Sequence, residues 1–254
     1  MASTRPAPQA PPRHNRLLAA LAPEEYEEVL PALEPVALAP AMALYESGDA
    51  QPYLYFPVSG MVSLLYLLED GGSTELAVTG SEGVVGVSLF MGGGTTPSRA
   101  VVQIPGHAWR MRPGPMQRSL SRGGVLLPLL LRFTQALITQ MTQAAVCNRH
   151  HSVDQQVCRW LLFALDRMPS NEIPMTQERI AHLLGVRREG VTEAAGRLQT
   201  AGVIEYSRGR IRVLERAQLQ SSVCECYAVV KGEYDRLLPA LRPATGGPPP
   251  ADRS

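Results

Sequence analysis

"MTQERIAHLLGVRREGVTEAAGRLQTAGVIEYSRGRI", Met175 to Ile211, is the stretch that decides how the rest of this chain is read. It holds two short amphipathic runs hinged at Gly185, then an alternating run broken by Ser207-Arg208-Gly209. Thr176 is placed to cap the first helix, its hydroxyl accepting from orphan backbone N–H groups. Ile180, Leu183 and Leu184 form one apolar face, and Gly185 supplies a turn where positive φ is needed. The second helix is expected from Arg187 or Arg188. Its inner side carries Val191, Ala194, Ala195 and Leu198 at i, i+3, i+4 and i+7. That spacing leaves Arg188, Glu189, Thr192, Glu193 and Arg197 outward. After Gly202, "VIEYSRGRIRVLE" reads as a hairpin with Ile211 and Val213 inward and Arg210 and Arg212 outward. Helix, turn, helix and hairpin make a winged helix-turn-helix.

Upstream of this unit lies an apolar run without turn signals after Pro128, "GVLLPLLLRFTQALITQMTQAAVCNRHH" (124–151). Leu130, Leu137, Ala144 and His151 fall seven apart, and Met141 lies on a nearby helical position. Such a stripe suits either a seam between two chains or packing on the chain's own body. The seam is the expectation, with Leu130, Leu137, Met141 and Ala144 in it. From Val36 to about Met111 the texture is β-like, with short runs such as "GMVSLLYLL", "TELAVT" and "RAVVQI". Signals including "PVSG", "EDGGS", "TGSEG", "MGGG" and "IPGH" punctuate them as turns, so strands of five to nine residues in a sandwich or barrel are expected. Leu17 to Leu33 has helical spacing. The Pro-rich ends, 1–16 and 239–254, bury too little apolar surface to offset chain entropy and read as disordered tails.

Charge is distributed unevenly behind a net of +1. Leu17 to Ser98 has eleven acidic residues and no Lys or Arg, whereas Pro174 to Arg216 has eight Arg against five Glu. A basic end of this kind points toward nucleic acid. No apolar run approaches the ~18 residues a membrane span needs. Met1 to Arg16 lacks an apolar signal region. Cysteines at 147, 158, 224 and 226 are too few and too late for a disulfide framework. A reducing, cytoplasmic setting is expected.

With these residues in view, the chain resembles the Crp/Fnr superfamily of bacterial transcription regulators from about Leu17 to Leu238. The likeness is carried by "LYESGD" (44–49), "YFPVSGMVSL" (55–64), "EGVVG" (82–86), "TQERIAHLLGVRREGVTEAAGRL" (176–198) and the wing. It implies an α+β chain: a jelly-roll β-roll of cyclic-nucleotide-binding type (17–123), a long dimerisation helix (124–151) and a winged helix-turn-helix (152–238). It implies a non-enzymatic regulator whose partners are double-stranded DNA, a second copy of itself and RNA polymerase, with no membrane. The DNA-facing residues would be Thr176, Gln177, Arg187, Arg188, Glu189, Thr192, Glu193, Arg197, Arg208 and Arg210. In the family an Arg-Glu pair reads bases, here Arg188-Glu189, and that chemistry suits guanine and cytosine edges. Gly190 and Glu193 depart from the family, which often has Ser or Thr and a basic residue there, so the half-site does not transfer.

The sensory half departs further. Val84-Val85 precede Gly86 where the family's cyclic-nucleotide binders carry a Gly-Glu pair, and Arg99 is displaced by one residue from the phosphate-binding Arg. Cyclic AMP is therefore not expected as effector, and the effector is unknown. Cys147 and His151, at i and i+4, could form a metal site doubled across a dimer. Cys224-Glu225-Cys226 would need ligands from elsewhere. Ordinary core packing is the expectation for both, with no metal and no cofactor. A cupin-type enzyme would need several His inside the roll, and between Leu17 and Asn148 only His107 is present. The remaining alternative is a small-molecule-binding or scaffold protein whose winged helix contacts protein.

Overall fold

The structure, a computed structural model, describes residues 10–69 and 71–239. The chain enters through two short helices, α1 (Arg16–Ala19) and α2 (Pro23–Val29). A five-stranded antiparallel sheet follows: β1 (Glu34–Leu38), β2 (Ala43–Tyr45), β3 (Leu54–Leu67), β4 (Ser73–Thr79) and β5 (Ser98–Met111). Its order is β1-β5-β3-β4, with β2 also paired to β5. Next come α3 (Pro113–Ser121), the 25-residue α4 (Leu126–His150) and α5 (Val153–Leu165). The C-terminal part is β6 (Glu172–Ile173), α6 (Gln177–Leu184), α7 (Arg188–Thr200), β7 (Ile204–Ser207), β8 (Arg210–Val213), α8 (Arg216–Ser222) and α9 (Glu225–Leu237).

The strands depart from expectation in length. β3 and β5 each run 14 residues because "PVSG" (57–60) and "IPGH" (104–107) lie inside them. The two signals face one another, and the pairing register slips three times between Pro57 and Val62. Each slip is a bulge, which bends the strands and increases their twist. Pro and Gly here curl the sheet into a roll instead of ending it.

Residues 10–16, expected in the N-terminal tail, are packed. Asn15 is fully buried and uses its whole amide. Its Nδ2 donates to the Pro57 and Gly83 carbonyls at 2.9 and 2.7 Å, and its Oδ1 accepts from Leu17 and Leu18 N–H. The rest of both expected tails lies outside the described residues.

α4 is capped from a distance, since the Glu25 carboxylate accepts from Val125 and Leu126 N–H at 3.1 and 2.9 Å. The helix is held on one side by β4 and the 80–86 loop and on another by α9. A Cβ on Gly83 would come within 2.0 Å of the Phe133 ring, so the loop can approach α4 only through glycine. Phe133 meets Tyr234 of α9 edge to face, and the Tyr234 hydroxyl bonds Gln140 at 2.8 Å. This packing covers most of the residues expected in the seam. Leu130, Leu137 and Ala144 are buried against their own chain, and Met141 is half-buried. The exposed apolar side is Leu131 (50% exposed) and Ile138 (56% exposed), seven apart, flanked by Ala145 and the half-buried Leu127.

The winged helix is docked on the roll. His182 Nε2 lies 2.7 Å from Ser73 Oγ, and Arg179 donates to Gln103 Oε1 at 2.8 Å. Arg167, just past α5, forms a nearly buried ion pair with Glu82 at 2.7 Å. Between the two halves sits Glu75 on β4, hydrogen-bonded by Ser63 and facing Arg159, Trp160 and Arg167, its carboxyl pushed by burial from 4.5 to about 7. A raised carboxyl favours the fold most below the unfolded value, and that contribution is lost as pH rises through about 7. Relative to wild type, Glu75→Gln should flatten the fall in melting temperature between pH 4.5 and 7. An unchanged slope in thermal scans across that window would remove Glu75 from the account.

Candidate DNA-binding surface

The helix pair forms as the residue pattern requires. Thr176 Oγ1 accepts from Arg179 N–H at 3.2 Å, and Gly185 ends α6 with φ of 67°. Val191, Ala194, Ala195 and Leu198 are all buried under α7. Arg188, Glu189, Thr192, Glu193 and Arg197 are all exposed. Among the described residues, the side chains of Arg187, Arg188 and Glu189 make no hydrogen bond or ion pair, which leaves the outer side of the first turn of α7 open. A helix N-terminus also presents N–H groups to an anion, so a phosphate can be met there without further side chains.

The other sequence-selected residues are occupied to different degrees. Thr192 Oγ1 donates to Gln177 Oε1 at 3.0 Å, joining the two helices across their outer face. Arg197 grips Asp154 of α5 with two bonds of 2.7 and 2.8 Å and lies 3.8 Å from Glu193. That hydrogen bond holds the Asp154 carboxyl below its usual range. Arg197 therefore fixes the angle between α7 and α5 more than it offers charge outward, and Glu193 has a positive neighbour to offset its repulsion of phosphate. In the wing, Arg210 pairs with Glu172 of β6 at 2.6 Å, and Arg212 bridges Glu172 and Glu205 at 3.5 and 3.4 Å. Arg208 sits at the β7–β8 turn with φ of 50°, exposed and unpaired among the described residues. On this surface, among the described residues, the cations without a side-chain partner are Arg187 at the N-cap of α7, Arg188 in its first turn and Arg208 at the wing tip. Asp154 and Glu172 carried no recognisable signal, because their roles depend on partners 43 and 38 residues away.

Gly190 packs beside Val153, where a Cβ would meet ordinary van der Waals distance, so its presence is not forced by space. In the roll, Val84 and Val85 are buried core residues, and Arg99 pairs with Glu46 at 2.8 Å. All four cysteines are buried. The structure brings Cys147, His151, Cys224 and Cys226 together and leaves Cys158 outside that group. Among the described residues no single helix is long and apolar enough to cross a membrane.

Comparison with known proteins agrees with this layout. The family model of a cyclic nucleotide-binding domain matches residues 35–122, and that of a Crp-like helix-turn-helix domain matches residues 155–222. Together they span more than half of the chain. No curated protein matches. Among solved structures, a crp/fnr-family transcriptional regulator from Eubacterium rectale superposes with a TM-score of 0.64 at 17% identity, over 82% of this chain and 97% of its own. FixK2 from Bradyrhizobium japonicum gives 0.63 at 17% identity, over 76% and 98%. The c-di-GMP responsive global regulator CLP from Xanthomonas campestris gives 0.60 at 19%, over 76% and 99%. At these identities the likeness is one of fold. With both domain models matched in order on either side of the long helix, the chain belongs to the Crp/Fnr superfamily of transcription regulators.

Proposed function

We propose that the chain is a sequence-specific DNA-binding regulator, without catalytic activity, that reads an inverted-repeat operator as a homodimer in the cytoplasm. The observation that carries this is the unpaired Arg187-Arg188-Glu189 turn at the start of α7, held rigidly by the Arg197–Asp154 lock. Arg188 can donate twice to guanine and Glu189 can accept from cytosine. Arg208 at the wing tip and the outer part of Arg210 are placed for phosphate, and RNA polymerase is the further partner of such a regulator. The exposed Leu131–Ile138 side of α4 supplies the seam between copies.

Cyclic AMP is not the effector on this reading. Val84 and Val85 fill the roll where a ribose-binding carboxylate would be needed, and Glu82 is committed to Arg167. The CLP relative, described as responsive to c-di-GMP, illustrates that this fold takes other ligands. Selection from a random DNA pool tests the reading. Enrichment of an inverted repeat without added nucleotide is expected, and micromolar cyclic AMP should give no calorimetric heat and no change in the selected sites. A pool that remains unenriched, with or without nucleotide, would overturn DNA reading, and a cyclic AMP isotherm would overturn the effector assignment.

A further inference from the structure

The geometry points to a Cys3His zinc site built from Cys147, His151, Cys224 and Cys226, within one chain, at the joint between α4, α5 and α9. Cys147 and His151 lie one turn apart at the end of α4, and Cys224 and Cys226 bracket the start of α9. The four donor atoms all lie within 4.8 Å of one another. Cys147 Sγ and Cys224 Sγ are 3.6 Å apart, and Cys226 Sγ and His151 Nδ1 are 3.5 Å apart. A tetrahedral ion with Zn–S of about 2.3 Å and Zn–N of about 2.0–2.1 Å requires edges of about 3.8 and 3.6 Å. Two edges are already at zinc spacing, and the others close by about 1 Å or less.

Two further observations fit the ion. The His151 Nε2, on the far side of the ring from the cluster, lies 3.3 Å from the Glu225 carboxylate. A ligating imidazole is commonly oriented in this way, by a carboxylate on its other nitrogen. The second is Arg159. The residue is only 6% exposed, and its Nε has no hydrogen-bond partner. Among the described residues it makes no direct ion pair, and the groups it faces are the Glu75 carboxyl and the Cys147 and Cys226 thiols. A buried unpaired cation is costly. Three thiolates and one divalent ion leave a single negative charge, which would join the Glu75 carboxyl in balancing Arg159. On binding, Zn²⁺ displaces the three thiol protons to solvent and takes a lone pair from neutral His151.

An iron–sulfur cluster fits less well, because each thiolate then binds its own iron and the sulfurs must spread apart. The set is closed, with four protein ligands and no place for water, so the site is structural and not catalytic. Its ligands join the residue that ends α4 to the first turn of α9, across the His151–Ser152 joint that leads into the winged helix. Metal binding does not depend on the DNA-reading assignment, and the two are tested by different measurements.

Elemental analysis of the full chain, purified without chelator from zinc-supplemented cells, should find about one zinc per chain. Cys226→Ser and His151→Ala should each lower this at least tenfold, while Cys158→Ser, a buried thiol outside the cluster, should leave it unchanged. Cobalt(II) added to the stripped wild-type chain should give the visible absorption of a tetrahedral thiolate site, a readout that does not require the variants to fold. Metal-free protein that takes up no cobalt, a Cys147–Cys224 disulfide found by mass spectrometry of the freshly purified chain, or iron with acid-labile sulfide would each overturn the zinc assignment.

Discussion

A chain carrying Leu131→Glu and Ile138→Glu together should sediment as a monomer where the wild-type chain sediments as a dimer. Both side chains are about half exposed in the single chain, so their outer surface is open to a partner. Burying the remaining half of each is worth about 1 kcal/mol, and a two-fold seam counts each residue twice. The glutamates also place four carboxylates across the axis, where desolvation and like-charge repulsion add several kcal/mol. The dissociation constant should rise by about a thousandfold or more, which moves a micromolar sample from dimer to monomer. DNA affinity should fall with it, since one winged helix then faces one half-site. Leu137→Glu is the contrasting variant. Its side chain is buried inside its own chain and should lower melting temperature before it changes association. A dimeric double variant, or a wild-type chain that is monomeric at micromolar concentration, would show that this face of α4 is not the seam.

The second large effect is expected at the start of α7. Arg188→Ala should cost about 1–3 kcal/mol per half-site and relax the preference at one base pair in each. Over both halves of an inverted repeat this is roughly 30- to 20,000-fold in affinity. Arg208→Ala should instead weaken all sequences alike and reduce the salt dependence by about one counterion per subunit, as loss of a phosphate contact does. Arg210 is already paired with Glu172, so its removal should have a smaller effect than that of Arg208. Binding titrations at several salt concentrations, with the selected site and a scrambled one, separate the two kinds of loss. If Arg188→Ala leaves the selected sequence unchanged while Arg208→Ala alters it, the wing and not the helix reads the bases.

The helix pair was readable because its determinants are local: a cap at Thr176, a glycine at 185, and apolar residues a turn apart all act within a few positions. The roll was readable as β-structure but not in strand length. Pro57 and Gly60 look the same in sequence whether a chain turns or bulges, and only the facing Ile104–His107 segment decides between them. The outward face of α4 was ambiguous in sequence for a related reason. α4 carries apolar residues on more than one face, and a spacing of seven is met by Leu130-Leu137-Ala144 and equally by Leu131-Ile138-Ala145. Which set faces out depends on β4 and α9, the latter about ninety residues downstream. Cys224-Glu225-Cys226 was opaque in the same way, since its neighbours Cys147 and His151 come from the far end of α4.

The position of α9 has a consequence for biosynthesis. Translation delivers the roll and α4 well before Glu225–Leu237 exists, so for that interval α4 has two apolar sides without their final cover. One is the Leu131–Ile138 side proposed as the seam, and the other is the strip around Phe133, Gln140 and Cys147 that α9 later occupies. Nascent chains on neighbouring ribosomes can meet through either side, and exposed apolar surface of this kind favours misassembly. For the proposed dimer, α9 thus selects the face: only after it closes its strip does one apolar side of α4 remain for a partner. Arg16, whose guanidinium donates to the Leu238 and Pro239 carbonyls, waits from the first moments of synthesis for the segment just past α9 that completes its bonds.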